Sequence, residues 1–161
     1  VEDCLKERGT DETTARLLAH ISGGRPGYAL RLMQDKEMLE FRKDRLDDLQ
    51  RLLKSSRRER FAYADKLTSR KKKETETDER FRDTLLVWLS FWRDVMLRAS
   101  GADAPLANVD RAAEIDALAE KLSLAELHRL VDATEKAIDK LERNVNARLL
   151  AEVLLLDWPH G

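Results

Sequence analysis

The sequence predicts an all-α fold, and three features of its composition indicate this. The chain of 161 residues contains 27 leucines against 7 valines and 3 isoleucines, so side chains that favour helices outnumber the β-branched ones that favour strands. Only 6 glycines and 3 prolines are available to interrupt helices. Charged residues make up 38% of the chain and hydrophobic residues 42%, a balance typical of amphipathic helices around a core.

Three short helices, separated by glycine and proline, are predicted at the start of the chain. Residues 2–8 and 12–21 each suit a helix, and Gly9 ends the first because glycine tolerates the backbone conformation of many helix C-termini. The run Ser22-Gly23-Gly24 ends the second helix. Pro26 suits the first turn of a third, where the N–H that proline lacks has no helical partner.

Two longer helices, joined by a sharp corner, are predicted next. Over residues 36 to about 54, apolar residues recur every three or four positions, as on one face of a helix. Ser56 and Glu59 have the spacing of a capping box, in which each side chain accepts a hydrogen bond from the other residue's backbone. A helix over 57 to about 68 follows, with Phe61, Ala64 and Leu67 as the apolar positions expected to face the core. Residues 69–80 have no large apolar side chain and suit either a solvated helix extension or a mobile loop.

The strongest apolar pattern predicts a helix over residues 78–99. Trp88 and Trp92 lie one helical turn apart in it, a spacing of large aromatic side chains that is typical of a core. Three further helices are predicted over residues 111–121, from 124 through 141, and over 147–157. The predicted N-caps are Asn108 or Asp110 for the first of these and Ser123, in a second capping box with Glu126, for the second.

The side chains that usually carry catalysis or bind metals are sparse. His20, His128 and His160 have no histidine or carboxylate partner at metal-ligand spacing, so no metal site is predicted. Cys4 is the only cysteine, which excludes an internal disulfide and indicates a half-buried, unreactive thiol in a reducing compartment. The sequence has no phosphate-binding P-loop and no apolar run long enough to span a membrane. We therefore expect no cofactor, no small-molecule substrate and no membrane insertion.

The charges are distributed unevenly along a chain whose formal net charge is only −1. Residues 36–82 contain 16 basic and 11 acidic side chains, whereas residues 101–157 contain 7 basic and 12 acidic ones. Such polarity either orients neighbouring molecules in an assembly or reflects solvated helix faces. The basic run 70–73 either contacts phosphates or forms a solvated linker, and it underlies the hypothesis that residues 57–73 bind nucleic acid.

Two segments of the sequence resemble motifs of one known protein family. Residues 22–30, Ser-Gly-Gly-Arg-Pro-Gly-Tyr-Ala-Leu, resemble the sensor-2 region of an AAA+ lid domain, which in clamp loaders has a Gly-Ser-Pro-Gly-x-Ala-Leu helix start. Residues 141–150, Leu-Glu-Arg-Asn-Val-Asn-Ala-Arg-Leu-Leu, are similar to the closing helix of the delta-prime subunits of the bacterial DNA polymerase III clamp loader, where Asn-x-Asn-x-x-Leu precedes a leucine-rich run. The two matches occur in the expected order with helical sequence between them.

The resemblance implies two domains and a role in assembly. Residues 1–35 would be the end of the AAA+ lid, and residues 36–161 would be the helical collar that holds the clamp loader together. The implied partners are the other clamp-loader subunits (delta and gamma/tau) and, through the whole complex, the sliding clamp and primed DNA in the cytoplasm. Because other subunits of the family hydrolyse ATP, we expect this region not to be an enzyme.

The sensor-2 segment departs from the ATP-binding form at one position. The degenerate segment comprises Gly24, Arg25, Pro26, Gly27, Ala29 and Leu30. Clamp-loader subunits that hydrolyse ATP have an arginine two residues before the Ala-Leu pair, where this chain has Gly27, and delta-prime subunits resemble this chain in that loss. Because Arg25 and Arg31 lie close by, a gamma/tau-type subunit is one alternative, and an unrelated helical partner-binding adaptor is another.

The last helix is the predicted contact with neighbouring subunits. Its apolar residues cover an arc too wide for one buried face, so the helix is expected to be covered on more than one side. Either it is the central helix of the bundle, or one flank lies at a subunit interface, as the resemblance to clamp-loader collars implies. The interface candidates are Leu149, Val153, Leu154, Leu155 and Trp158.

Overall fold

Nine α-helices make up most of the computed structural model, which describes residues 2–9, 11–23, 25–69 and 74–160. The helices are α1 (Glu2–Glu7), α2 (Glu12–Ile21), α3 (Pro26–Gln34), α4 (Lys36–Leu53), α5 (Arg57–Leu67), α6 (Glu74–Ala99), α7 (Ala112–Lys121), α8 (Leu124–Glu142) and α9 (Ala147–Leu156), with a 3-10 turn at Val109–Arg111. No strand occurs in the described ranges, so the predicted all-α fold is confirmed. None of these helices is both long and apolar enough to cross a lipid bilayer.

The first three helices enclose a small hydrophobic cluster of their own. Its members, each at most 2% exposed, are Leu5, Ala15, Leu18, Ala29 and Leu32. Leu39, near the start of α4, packs against this cluster, and His20 Nδ1 lies 3.0 Å from the carbonyl oxygen of Leu106. Asp35 ends α3 and caps α4 with its carboxylate. These contacts join the residues on either side of the predicted domain boundary between residues 35 and 36. They do not test that boundary, which stays a prediction.

The larger core surrounds α6, which packs against α4, α7 and α8. Trp88 and Trp92 are fully buried in it, as predicted. Both rings contact Trp158 edge-on, with centroids 4.8 Å and 5.7 Å from its ring. The indole N–H of Trp88 donates a hydrogen bond to the carbonyl oxygen of Arg45 at 2.9 Å. This aromatic cluster joins the end of the chain to α6.

Both predicted capping boxes are confirmed. At α5, Ser56 Oγ accepts a hydrogen bond from the backbone N–H of Glu59 at 3.3 Å, and the Ser56 N–H donates to the Glu59 carboxylate at 2.6 Å. At α8, Ser123 and Glu126 form the same two bonds at 3.2 Å and 2.8 Å. The hydrogen bond from the backbone N–H of each serine lowers the pKa of the glutamate that accepts it.

The predicted side-chain caps before α7 are wrong, because Asn108 and Asp110 bind elsewhere. Neither the 3-10 turn nor α7 has a side-chain cap. Arg42 of α4 donates to Asn108 Oδ1 at 2.7 Å and to the two carboxylate oxygens of Asp110 at 2.7 Å and 2.9 Å. Asn108 Nδ2 donates to Asp94 of α6 at 2.7 Å. These four side chains, here called the polar junction, join α4 and α6 to the loop that precedes α7.

Acid is expected to weaken the polar junction through Asp110. Burial alone would raise the pKa of this carboxyl, but the hydrogen bonds and charge of Arg42 outweigh burial and lower the pKa. A carboxyl with a lowered pKa stabilises the fold above its ordinary pKa, and this contribution is lost as the pH falls through the lowered value. We expect Asp110→Asn to cost about 1–2 kcal/mol at neutral pH and much less near pH 3. Urea unfolding of both proteins at the two pH values measures this, and an equal difference at both would contradict it.

Two other side-chain predictions are wrong. Cys4 is exposed rather than half-buried, because its neighbour Leu5 takes the inward position of the short helix α1. On α5, Phe61 was predicted to face the core but is 42% exposed, whereas Arg60 is 1% exposed. The inward face of α5 thus includes Ala64 and Leu67, but Arg60 takes the inward position in place of Phe61.

The polar segment before the apolar part of α6 is helical from Glu74 onwards. Residues 74–80 form the first turns of α6, which favours the helix extension over the loop for this part of the segment. Residues 70–73, which contain the basic run, lie outside the described residues. Whether that run contacts phosphates stays a hypothesis.

Candidate subunit interface

Four aliphatic side chains on one side of α9 face solvent. Val145, just before the helix, is 39% exposed, Leu149 55%, Val153 60% and Leu156 36%. Their spacing of three or four residues places the helical members along one side of α9. We call these four residues the α9 stripe. Single exposed aliphatic residues are ordinary on protein surfaces, but a continuous row of them is typical of a contact with another molecule.

The opposite side of α9 belongs to the core of the chain itself. Leu154 is 4% exposed, Leu155 0% and Trp158 3%. Three of the five interface candidates therefore pack inside the chain, and Leu149 and Val153 face outward. These contacts do not test whether α9 meets another subunit, so that interface stays a prediction, and it now rests on the outward residues.

A buried arginine holds the C-terminal end of α9 in place. Arg60 of α5 donates hydrogen bonds to the carbonyl oxygens of Leu155, Trp158 and Pro159 at 2.9, 2.7 and 3.0 Å. Its Nε donates to the carbonyl oxygen of Leu52, at the end of α4, at 3.0 Å. The C-terminal ends of helices carry partial negative charge, which favours a cation there even though burial lowers the pKa of Arg60. Arg60 thus determines which side of α9 faces outward.

Helix α5 lies beside α9 and adds an aromatic side chain to the exposed apolar surface. Asp65 forms an ion pair with Arg148, near the start of α9, at 3.5 Å. Because Arg60 reaches the other end of α9, the two helices run antiparallel. Phe61 lies one turn before Asp65 and is therefore placed toward the end of α9, where Leu156 is exposed. With 42% of its surface exposed, Phe61 extends the α9 stripe onto α5.

The segment that resembles sensor 2 forms the start of α3. Pro26 occupies the first turn, as predicted, and Arg25 Nε donates to a backbone carbonyl oxygen three residues earlier at 3.2 Å. A Cβ atom on Gly27 would meet no atom within 4 Å, so the surrounding packing does not require glycine there. The other predicted members of the segment are Ala29 and Leu30, which pack in or against the small cluster, and Gly24, which lies outside the described residues.

The three histidines are dispersed over the molecule. His20 contacts the backbone of the loop before α7, and His128 and His160 are exposed. Within the described ranges, no group of three or more His, Cys, Asp or Glu side chains is placed to hold a metal ion.

Residues 37–160 match the family model described as DNA polymerase III, delta subunit, C terminal. The chain belongs to this family. The match extends from α4 to α9, so this DNA polymerase III delta-type C-terminal domain contains the α9 stripe, Arg60 and the polar junction. Helices α1 to α3 precede the matched residues. No curated protein and no solved structure matches the chain.

Membership in the DNA polymerase III delta-type family confirms the coarser part of the prediction made from sequence. The chain contains the C-terminal domain of a clamp-loader subunit, a kind of protein that assembles with other subunits. The all-helical architecture of α4 to α9 is consistent with such a domain.

Three exposed apolar residues on or beside α9 are absent from the predicted interface set. Leu156 carries a signal in the sequence, because it continues the spacing of Leu149 and Val153 along one side of α9, whereas Val145 lies before the helix begins. Phe61 carries none, since its neighbours in sequence indicate an inward position. Its exposure follows from the burial of Arg60, which depends on the distant end of the chain.

Proposed function

We propose that this chain is the C-terminal region of a delta-prime subunit, a non-catalytic part of the DNA polymerase III clamp loader. Its helical domain acts as a collar that holds together the delta, delta-prime and gamma/tau subunits in the cytoplasm. The sliding clamp and primed DNA are reached through the whole complex, and other subunits hydrolyse ATP. Family membership supports the clamp loader, and the segments at residues 22–30 and 141–150 support delta-prime.

Gly27 favours a delta-prime subunit over a gamma/tau-type subunit. ATP-hydrolysing members of the resembled family have an arginine at this position, and a glycine offers no side chain to a γ-phosphate. The open space around Gly27 leaves room for a side chain, so packing does not explain why an arginine is absent from this position. Arg25, the nearest substitute, already donates a hydrogen bond to a backbone carbonyl oxygen.

The α9 stripe is the observation that carries the assembly role. Leu149 and Val153 expose more than half of their surface, although α9 is held rigidly by Arg60 from inside. Fully burying one such side chain stabilises an association by about 1.5–3 kcal/mol, and interface centres are enriched in apolar groups and depleted of charge. A collar helix that packs inward with one side and onto a neighbouring subunit with the other accounts for both faces of α9.

Charging the α9 stripe is expected to block assembly without unfolding the subunit. The variant is Leu149→Glu with Val153→Glu in the full-length subunit, mixed with the remaining clamp-loader subunits and resolved by gel filtration. Because two carboxylates would be buried unpaired in the interface, we expect incorporation to weaken by at least about tenfold. The melting temperature is expected to change by no more than about 2 °C, because both positions are exposed.

A matched control is Leu124→Glu. Leu124 is 46% exposed at the start of α8, whereas α9 follows the other end of that helix. This variant is expected to assemble like the parent protein. Normal assembly of the double variant, or equal weakening by the control, would show that the α9 stripe is not the interface.

A further inference from the structure

An open groove lies between the first half of α4 and the face of α6 that looks toward it. Its volume is about 1190 Å³, and residues at the ends of α2 and α3 and the loop 105–108 complete its walls. We call it the α4–α6 groove. It is larger than the ~300–1,000 Å³ of most small-molecule pockets, and it is open along its length rather than enclosed. Its dimensions suit a segment of polypeptide better than a small molecule.

Apolar side chains from both helices line the α4–α6 groove. Met38 of α4 and Leu86 of α6 expose 37% and 39% of their surface, and Phe41 and Val87 are half-buried between them. Large apolar residues exposed on two facing helices form a concave apolar surface rather than scattered single side chains. Such grooves bind amphipathic helices, which insert residues from one face and leave their flanks at the rim.

The rim of the groove carries acidic side chains without neutralising partners. Glu37, Glu40 and Asp44 of α4 and Glu79 and Asp83 of α6 form no ion pair with any cation in the described part of the chain. Burial and the neighbouring charge of Glu79 raise the pKa of Asp83, even though Arg82 opposes this. A net acidic field repels nucleic acid and anionic membranes and attracts a basic partner.

The arginines that line the groove are already engaged in other contacts. Arg42 is held in the polar junction, and Arg93 forms an ion pair with Glu135 at 2.7 Å. The guanidinium of Arg80 lies over the ring of Phe41, 5.8 Å from its centroid. Arg42 and Arg93 thus pair with carboxylates outside the groove, and the five rim carboxylates outnumber the remaining lining arginines, Arg25 and Arg80. The groove as a whole therefore presents apolar groups and a net acidic charge to its occupant.

We propose that the α4–α6 groove binds a basic amphipathic helix of a partner protein. Apolar side chains on one face of that helix would contact Met38 and Leu86, and lysines or arginines on its flanks would pair with the two acidic rims. The charge of the rims selects a basic occupant, and the apolar floor selects an amphipathic one. This site is distinct from the α9 stripe and does not rest on the proposed function.

The test uses fluorescein-labelled model helices and the intact chain. A set of peptides of about 14 residues, with lysine flanks and an apolar face of Leu, Phe or Met, is titrated by fluorescence anisotropy beside matched peptides with glutamate flanks. We expect at least one lysine peptide to bind with a Kd in the range of about 10–100 μM, and its glutamate counterpart to bind at least about tenfold more weakly. Failure of every lysine peptide to bind below about 1 mM would overturn the proposal.

Variants of the chain assign the binding to the groove. Glu40→Lys with Asp83→Lys reverses one charge on each rim, and Leu86→Ser removes an apolar contact from the floor. Each variant is expected to raise the Kd of the lysine peptide by about fivefold or more, with unchanged circular dichroism and melting temperature of the chain. The control, Glu7→Lys with Glu120→Lys, reverses two exposed carboxylates outside the groove and is expected to have little effect.

Two results would contradict the assignment. If the control weakens binding of the lysine peptide as much as Glu40→Lys with Asp83→Lys does, the peptide is held by general charge attraction rather than at a defined site. Self-association of the chain in sedimentation, abolished by Leu86→Ser, would show that the occupant is a second copy and not a basic partner helix.

Discussion

Replacing Arg60 with methionine is expected to lower the free energy of unfolding by roughly 3–4 kcal/mol. The buried guanidinium of Arg60 donates hydrogen bonds to carbonyl oxygens at the ends of both α4 and α9. Methionine fills a similar length but donates none, so the carbonyl oxygens of Trp158 and Pro159 lose the hydrogen bonds from Arg60, at about 1–3 kcal/mol each. The carbonyl oxygens of Leu52 and Leu155 keep a backbone donor each. Removing a buried charge recovers part of this cost, which keeps the expected loss below the simple sum.

The measurement is urea unfolding followed by circular dichroism, with Arg58→Met as the matched control. Arg58 lies on the same helix but is exposed, so its replacement is expected to change stability by no more than about 0.5 kcal/mol. Arg60→Lys is expected to fall between the two, because an ammonium group has three donors and cannot span two helix ends as a planar guanidinium does. A loss below about 1 kcal/mol for Arg60→Met would mean that these contacts contribute little.

Helix positions and most helix ends were predictable because their causes are local. The two capping boxes, at Ser56 and Ser123, each depend on a glutamate three residues later. Gly9 has a φ of +85°, a left-handed conformation that glycine adopts readily at the end of a helix. Within a few residues of chain, the sequence contains both partners of each such interaction, so spacing alone identifies them.

Side-chain positions that depend on distant partners were not predictable in this way. The partners of Arg60 at the end of the chain lie 95 to 99 residues away in sequence. Arg42 similarly binds Asn108 and Asp110 at separations of 66 and 68 residues. In both cases the local pattern indicated something else: an inward Phe61 next to Arg60, and Asn108 or Asp110 as a helix cap. The tertiary contacts outweigh the local preference because a buried guanidinium without its several hydrogen bonds costs more free energy than one lost helix cap.

The sequence predicts which helix carries the candidate interface, but not which side of that helix is exposed. A helix as apolar as α9 offers nearly equal reasons to bury any of its sides, so the sequence indicated Leu155 and Leu149 alike. Leu155 is fully buried and Leu149 is 55% exposed. The difference follows from tertiary packing, since α9 buries Ala151, Leu154 and Leu155 in the core while Arg60 of α5 binds its C-terminal end.

Removing the carboxylate of Asp94 is the second substitution expected to have a large effect. Asp94 is 5% exposed and accepts three hydrogen bonds: from the backbone N–H of Ala107 at 3.0 Å and from the backbone N–H and Nδ2 of Asn108, both at 2.7 Å. Asp94→Ala leaves the two backbone N–H donors without a partner in a buried place, whereas Asn108 Nδ2 keeps Ser90 Oγ, and we expect a loss of about 3 kcal/mol. Asp94→Asn keeps one acceptor oxygen, which can still serve Asn108, and is expected to lose about half as much.

The control for Asp94 is Asp83→Ala on the same helix. Asp83 is exposed and accepts no hydrogen bond within the described residues, and burial raises its pKa, so its removal is expected to leave stability unchanged within about 0.5 kcal/mol. We therefore expect Asp94→Ala to be the most destabilised variant, followed by Asp94→Asn and then Asp83→Ala. This order follows the number of hydrogen bonds lost rather than the loss of a charge.

Hydrogen exchange at single amides separates a local role of Asp94 from a global one. Asp94 binds the loop 105–108, which forms one wall of the α4–α6 groove, so the amides of Ala107 and Asn108 are expected to exchange faster in Asp94→Ala than the global loss of stability explains. The exchange rate of the Leu127 amide, which belongs to a buried residue of α8, is expected to change only as global stability changes. If Ala107 and Asn108 exchange in proportion to Leu127 in every variant, the loop is held by the core as a whole and not by Asp94.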